Sequence, residues 1–490
     1  MNLLEEKPQS DPKAPKRRKR RVSLLVYISS TLLALFVGIF MTILVIGLNS
    51  RTSQSLDTST TGFSKLSQVY QTINQQYYRK TDQNKLINGA VKGMIASLGD
   101  PYSEYLSGSD ASTLDNTISG SFEGIGAEIQ KKGQYIEIVS PIAGSPAKKA
   151  GLKANDVITA INDQSTAGWS ATKATNKIRG KKNTTVKLTI KRDKQSFKVT
   201  LKRDVIPVKT VNAHLDKNQP TIGYIQITSF SEPTFKETKA AITKLRKQGA
   251  KSFVIDVRSN PGGIMQQALK ISSMFVANGK PLMQVKPRTG QATVYHASKS
   301  EDGGFKVKEP VKVLIDDGSA SASEIFAAAL NQSANVELIG TKSFGKGTVQ
   351  QVVQLDKKSE FKLTIAKWLT PNGSWINKRG LTPNIVAKYP SYAYLPVVSD
   401  AKTYQLNDVS SKIKTIQTEL KAVGQDPGTI NGYFSDTTQQ AVTAFQAANN
   451  LTQSGKLDPA TIDKLQTAIT KQISDNDVAY NKAVEQLTKE

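Results

Sequence analysis

The chain has 490 residues, with 66 lysines and arginines against 40 aspartates and glutamates, a formal net charge of +26 and no cysteine. The length suits about three or four domains. Without cysteine, disulfide scaffolds, cysteine-ligated zinc and thiol nucleophiles are excluded. The two histidines, His214 and His296, stand in polar or charged stretches, so we expect both at the surface and expect no metal site and no cofactor. The positive charge alone suits nucleic acid, an anionic membrane or an anionic polymer outside the cell.

The amino-terminal part combines a basic tail with a long uncharged segment. Residues 1–21 hold eight basic and three acidic side chains, and residues 22–48 hold no charge. As a helix, that segment extends about 40 Å, more than the roughly 30 Å hydrocarbon core of a bilayer. It is too long for a cleaved signal peptide, so the basic cluster at 16–21 predicts a cytoplasmic tail, a transmembrane helix at 22–48 and an outward-facing remainder. A nucleic-acid-binding or nuclear signal is the alternative, and the adjoining apolar segment argues against it.

The remaining chain divides into regions that differ in composition and in hydrophobic pattern. We predict a linker at 49–62, a helical region at 63–118, a β-rich module at 119–207, an α/β core at 208–390, a linker at 391–406, a three-helix domain at 407–470 and a C-terminal helix or tail at 471–490. In the core, strand-like runs alternate with helical runs, which predicts a largely parallel sheet with function at the carboxyl ends of its strands. The fold class is therefore multidomain α/β.

Ser321 lies between a predicted strand and a predicted helix. With Glu324 it has the S-x-x-E spacing of a capping box, and that spacing alone favours a structural role. A serine in the first turn of a helix is also well placed for nucleophilic attack, because nearby amides and the helix dipole stabilise an oxyanion. Its neighbours Ala320 and Ala322 are small enough to let a substrate carbonyl approach.

A serine nucleophile needs a base, and the candidate is Lys346, which stands between two glycines. Burial without a carboxylate partner lowers the pKa of a lysine by several units and lets it act as a base. Gln350 is placed to orient the amine without adding negative charge. Together these residues would form a Ser-Lys variant of the Ser-His-Asp arrangement.

Gly262 and Gly263 follow a predicted buried strand and offer backbone amides for an oxyanion hole. A strand-to-helix turn that needs the conformational freedom of glycine is the alternative interpretation.

Two other motifs compete with this interpretation. Residues 340–346 match the first seven positions of a phosphate-binding loop, but Gly347 stands where Ser or Thr must hold Mg²⁺. The S-x-x-K pairs Ser170/Lys173 and Ser359/Lys362 are typical of penicillin-recognising enzymes, but no K-T-G accompanies them. Chance explains both motifs.

Five features in order resemble the carboxyl-terminal processing proteases, a family of Ser-Lys peptidases also called tail-specific proteases. They are A-V-K-G-M-I-A-S-L-G-D-P-Y-S-E-Y-L at 90–106, a PDZ-like module, D-V-R-S-N-P-G-G at 256–263, S-A-S-A-S-E-I at 319–325 and F-G-K-G-T-V-Q at 344–350. The resemblance implies a crotonase/ClpP-like core. It also implies that Ser321 is the nucleophile, Lys346 the base and Gln350 the residue that orients the base. The oxyanion hole would then be formed by the amides of Gly262 or Gly263 and of Ala322.

The β-rich module resembles a PDZ domain, in which Gly124, Ile125, Gly126 and Ala127 would form the loop that binds a terminal carboxylate. In the family this module captures substrate C-termini and can gate activity, and Arg179 is a candidate relay for that gating.

Residues 407–470 resemble a peptidoglycan-binding domain of three short helices. Most of its apolar residues recur at helical spacing and belong to a core. The candidates to face a glycan are Asn431, Gly432, Tyr433 and Gln446.

Together these features predict a membrane-anchored serine endopeptidase whose catalytic part faces the cell wall. The expected partners are polypeptides with exposed C-termini, peptidoglycan and the membrane, and not nucleic acid; a homo-oligomer or a regulatory adaptor stays open. The net charge outside the basic tail, +21, would then lie among anionic wall polymers. The rival hypothesis is a non-catalytic scaffold that tethers proteins to the wall.

Overall fold

A computed structural model describes residues 61–356, 359–398 and 402–489. The predicted cytoplasmic tail and transmembrane helix, and the linker up to residue 60, lie outside the described residues. Within the described ranges, no helix is long and apolar enough to span a bilayer. The described chain opens with two helices, α1 (Thr61–Gln76) and α2 (Gln83–Ala96), so that the first helix begins inside the predicted linker.

The β-rich module folds around a mainly antiparallel sheet. Its strands are β2 (Ser121–Gly124), β3 (Ala127–Lys132), β4 (Tyr135–Pro141), β5 (Val157–Ile161), β6 (Gln164–Ser165), β7 (Thr185–Arg192), β8 (Gln195–Lys202) and β9 (Asp204–Pro207). The sheet order is β3-β4-β5-β7-β8, and β2 pairs separately with β9. Two helices, α4 (Pro146–Lys149) and α5 (Ala171–Ile178), cover a core of buried isoleucines and leucines. The strand β3 lies at an edge of the sheet, and α5 packs beside it.

The core contains the predicted, largely parallel sheet. Its strands are β10 (Val211–Leu215), β11 (Ile222–Ile227), β12 (Ser252–Asp256), β15 (Val311–Ile315), β16 (Glu337–Gly340) and β19 (Ile385–Val386), adjacent in that order. Only β10 in this sheet runs antiparallel to its neighbour. Three helices cover one face, namely α6 (Thr234–Lys247), α7 (Met265–Phe275) and α9 (Ala322–Ala334). Since successive side chains in a strand point to opposite faces, the other face is also apolar and needs its own cover.

A second, antiparallel sheet was not predicted. It consists of β1 (Glu104–Ser107), β18 (Ser359–Leu369), β13 (Pro281–Pro287) and β14 (Thr293–His296) in that order, with β17 (Thr348–Gln354) also pairing to β18. The first of these strands belongs to the region that the sequence placed apart from the core. It leads into α3 (Ser109–Ser119), which ends where the PDZ-like module begins. A short helix, α8 (Lys299–Asp302), follows β14.

The C-terminal domain consists of three helices, α10 (Ser411–Ala422), α11 (Asp436–Ala448) and α12 (Pro459–Asp475), after a 3₁₀ turn at Ser391–Tyr394. The last helix, α13 (Val478–Leu487), leaves this domain and packs on the open face of the parallel sheet. Its Ala479, Ala483 and Leu487 meet buried residues of β11, β12, β15 and β16. The three-helix domain is therefore inserted between the core and the core's last helix.

Candidate active site

Ser321 stands at the junction between β15 and α9. It immediately precedes Ala322, the first residue of the helix, and its backbone has φ 54° and ψ −112°. A positive φ is uncommon in a residue other than glycine and marks local strain, which is often found at functional sites. The buried Ser319 fixes the preceding turn, because its hydroxyl donates to the carbonyl of Val257 at 2.8 Å.

A pocket of about 320 Å³ brings together most of the predicted catalytic residues. It is lined by Ser321, Lys346, Gln350 and Gly263, among others. The helix α3 contributes Leu114, Thr117 and Ile118 to the same pocket. Motifs separated by nearly 90 residues of sequence thus line one concave site.

The two glycines of the loop at 259–263 differ in their hydrogen bonds. The N–H of Gly262 donates to Oδ1 of the buried Asn260 at 2.9 Å, so it is not available to a substrate. In the described part of the chain, the N–H groups of Gly263 and Ala322 have no acceptor. Of the two candidates, Gly263 is therefore the one that can pair with Ala322 as an oxyanion donor.

Asn260 was missed by the sequence reasoning, and it holds the two loops together. Its side-chain amide donates to the carbonyl of Ile227, and its own carbonyl accepts from the N–H of Ala320 and the hydroxyl of Ser323. A β-carbon on Gly262 would lie 2.7 Å from the carbonyl oxygen of Ala320 and 2.9 Å from Cβ of Ser321. The glycine is required because the two loops approach so closely there.

Lys346 lies in the loop between β16 and β17, with its side chain largely buried. Its amine lies 4.9 Å from the ring centroid of Tyr102 and makes no hydrogen bond to Ser321 or any other described residue. Burial lowers the pKa of Lys346, and the nearby Lys362 lowers it further, whereas three carboxylates oppose the shift, Asp100, Glu104 and Glu324. The net direction favours the neutral amine that a base requires.

Asp100 and Tyr102, in the G-D-P-Y stretch, lie near that amine, the tyrosine through its ring and the aspartate through its charge. No role was assigned to them from the sequence. Burial works to raise the pKa of Asp100, but hydrogen bonds from Ser103 and Thr364 hold it below its ordinary value. A charged carboxylate therefore faces the Lys346 region without forming an ion pair with it.

Gln350 lies on β17, and its amide nitrogen donates to the hydroxyls of Thr348 at 2.8 Å and Thr364 at 3.2 Å. These bonds fix the amide plane. Its Oε1 accepts no hydrogen bond from the described residues, so an acceptor remains for an amine in the pocket.

Glu324 makes more contacts than a helix cap requires. As predicted for a capping box, its Oε2 accepts from the N–H of Ser321 at 2.9 Å. The same oxygen accepts from the N–H of Lys346 at 2.9 Å, and Oε1 accepts from the hydroxyl of Ser343 at 2.6 Å and the N–H of Gly345 at 2.7 Å. These bonds also argue against a phosphate-binding loop, because a buried carboxylate occupies the amides that a phosphate would need and a strand, not a helix, follows.

The remaining predicted residues lie away from this pocket. In the PDZ-like module, the N–H groups of Ile125 and Gly126 have no acceptor among the described residues, and the flanking residues of that loop are Gly124 and Ala127. The guanidinium of Arg179 lies 4.9 Å over the ring of Phe122, in a separate pocket of about 290 Å³ between the module and the core. Both histidines are exposed, as expected.

In the C-terminal domain, three of the four glycan candidates belong to one loop, namely Asn431, Gly432 and Tyr433. Only Asn431 and Tyr433 are exposed, and the tyrosine hydroxyl donates to Oδ1 of Asn407 at 2.6 Å. Gln446 is fully buried, and its amide is satisfied within the domain. Its side chain therefore stabilises the fold and is not available to a glycan.

Comparison with known families matches four parts of the chain. Residues 221–387 match Peptidase family S41, 46–110 the Activating protease CtpB N-terminal domain, 113–191 the PDZ domain and 409–465 the Putative peptidoglycan binding domain. Fold and matches together define a multidomain α/β serine peptidase.

Relatives cover nearly the whole chain. The carboxy-terminal processing protease CtpA of Bacillus subtilis (strain 168) is 44% identical over 474 residues, which is 96% of this chain and 100% of that protein. CtpB of the same strain is 40% identical over 428 residues, 86% of this chain and 88% of that protein. A solved photosystem II D1 C-terminal processing protease is 28% identical and covers 66% of this chain and 86% of that chain, with a TM-score of 0.40. The chain belongs to the carboxy-terminal processing proteases.

Proposed function

We propose that this protein is a single-pass membrane protein whose outward-facing part cleaves polypeptides with a Ser321–Lys346 dyad. The observation that carries the proposal is the single pocket in which Ser321, Lys346, Gln350 and Gly263 meet at the start of a buried helix. The substrates are envelope or secreted polypeptides with accessible C-termini.

The reaction begins when the neutral amine of Lys346 turns from Tyr102 toward Ser321 and removes its hydroxyl proton. The serine oxygen then attacks the scissile carbonyl, and the amides of Gly263 and Ala322 stabilise the oxyanion. The protonated lysine gives its proton to the leaving amine, so the peptide C–N bond breaks and an acyl-enzyme remains. The same amine, neutral again, takes a proton from water, and the hydroxide attacks the acyl carbonyl. The ester bond to Ser321 then breaks, and the serine oxygen regains its proton from Lys346. Gln350 orients the amine through its free Oε1.

Substrate C-termini would bind the PDZ-like module. The free amides of Ile125 and Gly126 suit a terminal carboxylate, and the exposed edge of β3 allows the peptide to add as a strand next to α5. The helix α3 connects the module to the catalytic pocket, since it ends at the module and lines the pocket. Arg179 at that junction is the proposed relay.

Charge and composition support the proposed location of the protein. The uncharged segment at 22–48, preceded by the basic cluster, favours an amino terminus in the cytoplasm and a catalytic part outside. The domain at 409–465, together with the positive charge of the outer part, would retain the protein in the wall.

The proposal is tested with Ser321→Ala and Lys346→Ala in the full chain, with an unstructured polypeptide that ends in small apolar residues as substrate. Each variant is expected to lose hydrolysis while its thermal unfolding stays close to wild type. The matched control is Lys342→Ala, an exposed lysine in the same loop, which should cleave normally. Cleavage by Ser321→Ala at the wild-type rate would show that the assignment is wrong. A wild-type protein that binds such polypeptides and never cleaves them would favour the scaffold.

A further inference from the structure

A helix cap explains only one of the four hydrogen bonds that Glu324 accepts. The other three come from the segment 343–346, which lies on a different loop. Burying a carboxylate is costly unless hydrogen bonds replace its water, and Glu324 is 0% exposed. Glu324 therefore joins two loops. Capping the start of α9 would need only the hydrogen bond from Ser321.

The bonds of Oε2 place this carboxylate directly between the two reacting residues. That single oxygen accepts from the peptide nitrogens of both Ser321 and Lys346. We infer that Glu324 is a positioning residue that sets the distance and orientation between nucleophile and base. The inference rests on the proposed Ser-Lys function. It adds to Ser321, Lys346 and Gln350 a residue that itself touches neither substrate nor the reacting atoms.

The placement also solves an electrostatic difficulty. A carboxylate that bonded the Lys346 amine directly would favour its charged form. The buried Lys312 has such a partner, since its amine lies 2.8 Å from Glu337. Glu324 contacts only the backbone of Lys346, and its charge is shared among four donors. It raises the pKa of the amine less than burial lowers it. Glu324 therefore holds Lys346 in place and still allows the amine to be uncharged, as a base requires.

Two substitutions separate geometry from charge. In Glu324→Gln, the amide nitrogen must face two of the four donors, so two bonds are lost; we expect about a hundredfold loss of kcat. Because the negative charge is also lost, the acid limb of the kcat/KM profile should move to lower pH. Glu324→Asp keeps the charge but is shorter by one methylene. It should lower kcat with the acid limb close to the wild-type position.

The control is Glu337→Gln, which removes the carboxylate that pairs with the buried Lys312 and should lower thermal stability without moving kcat or the acid limb. Should Glu324→Gln not fold, Ser343→Ala removes one donor and keeps the charge, with about a tenfold loss of kcat expected. The experiment includes Ser321→Ala and Lys346→Ala, and cleavage by either at the wild-type rate would overturn the proposed function itself. If both are inactive while Glu324→Gln, or Ser343→Ala in its place, keeps the wild-type kcat, only the positioning role is overturned. A loss of kcat in Glu324→Gln with an unmoved acid limb would also overturn it, because a purely structural cap predicts that result.

Discussion

The catalytic loops and the C-terminal domain are each organised around fully buried polar side chains, but these differ in charge. In the catalytic loops the side chain is Glu324, which accepts from four donors. In the C-terminal domain they are Gln417 and Gln446, whose amides both accept and donate. Gln417 bonds Asn431, Gly432, Tyr433 and Thr438, and Gln446 bonds Ser454, Gly455, Lys456 and Thr461.

The difference shows what each region needs. Each glutamine braces the loop that leads into the next helix, through the similar stretches Gly432-x-Phe434-x-x-x-Thr438 and Gly455-x-Leu457-x-x-x-Thr461. A neutral amide suits such a loop, since it can satisfy amides, carbonyls and hydroxyls alike. The glutamate only accepts hydrogen bonds, and it joins the two loops that hold the proposed nucleophile and base. The C-terminal amides stabilise a fold, whereas the buried carboxylate also sets a reactive geometry.

The largest effect is expected from Gly262→Ala, which disturbs the catalytic loops and leaves the C-terminal domain unchanged. The new Cβ would lie 2.9 Å from both Cβ of Ser321 and the nitrogen of Ala322, so it would displace the nucleophile and an oxyanion donor. We expect about a thousandfold loss of kcat. Gly279→Ala is the matched control, because Gly279 also has a positive φ, of 85°, and faces open space. Equal kcat losses in the two variants would mean that backbone strain, not the close approach, explains the effect.

Asp477→Ala tests whether the C-terminal region depends on the core. The Arg258 guanidinium lies 2.6 Å from both Asp256 and Asp477, and Asp477 also caps α13. Its loss should lower the free energy of unfolding by about 3 kcal/mol and release α13 from the sheet. Proteolysis and thermal unfolding measure this, with Asn481→Ala, at an exposed position on α13, as control. Unchanged protection of α13 would contradict the role of this ion pair.

The same ion pair predicts a pH dependence. Burial tends to raise the pKa of Asp477, but the hydrogen bond from Arg258, the charge of Arg258 and the hydrogen bonds from Tyr480 and Tyr389 together hold the pKa below its ordinary value. Because the folded-state pKa is depressed, the stabilisation is present above the ordinary value and is lost as the pH falls through the folded-state value. Unfolding in acid should therefore be less pH-dependent in Asp477→Ala than in wild type.

Gln446→Leu tests whether the buried glutamine stabilises the C-terminal domain without affecting catalysis. The substitution keeps the size of the side chain but leaves the N–H of Gly455 and the hydroxyl of Thr461 without their partner, which should destabilise the C-terminal domain by about 2 kcal/mol. Cleavage of a soluble polypeptide should not change. The control is Gln440→Leu, an exposed position on the same helix. A large loss of kcat would contradict this expectation and show that the C-terminal domain affects the catalytic loops.

The smallest expected effect concerns the carboxylate that faces the amine from the side. The charge of Asp100 raises the pKa of Lys346 against the effect of burial. Cleavage requires the neutral amine, so activity rises as the pH passes upward through that pKa. Asp100→Asn should move the acid limb of kcat/KM to lower pH by a fraction of a unit. A shift to higher pH would contradict the sign of this interaction.

The parallel sheet could be predicted because β12 and β15 are buried throughout and alternate with amphipathic helices. The second sheet could not, since β17 is largely half-exposed and β1 reaches β18 from far away, as the Lys362–Glu104 pair shows across 258 residues. Pairing at that separation leaves no local pattern.

The site residues follow the same division. The motifs predicted that Ser321, Lys346 and Gln350 would share a site, because their order resembles one family. The S-x-x-E spacing revealed only the local contact of Glu324, since spacing within one helix carries no information about a loop 20 residues away. Gln446 was a candidate to face a glycan, but it is buried, and its burial depends on contacts with the following loop that helical spacing does not reveal.

The Ser321–Lys346 dyad is tested most directly by the pH dependence with which a serine-directed fluorophosphonate labels the full chain. Peptide mass spectrometry locates the labelled residue. We expect a single adduct on Ser321, and a labelling rate that rises through a pKa below that of an ordinary lysine. Lys346→Ala should lose this labelling, and Glu324→Gln should show a lower pKa. Labelling at another residue, or an unchanged rate in Lys346→Ala, would contradict the proposed dyad.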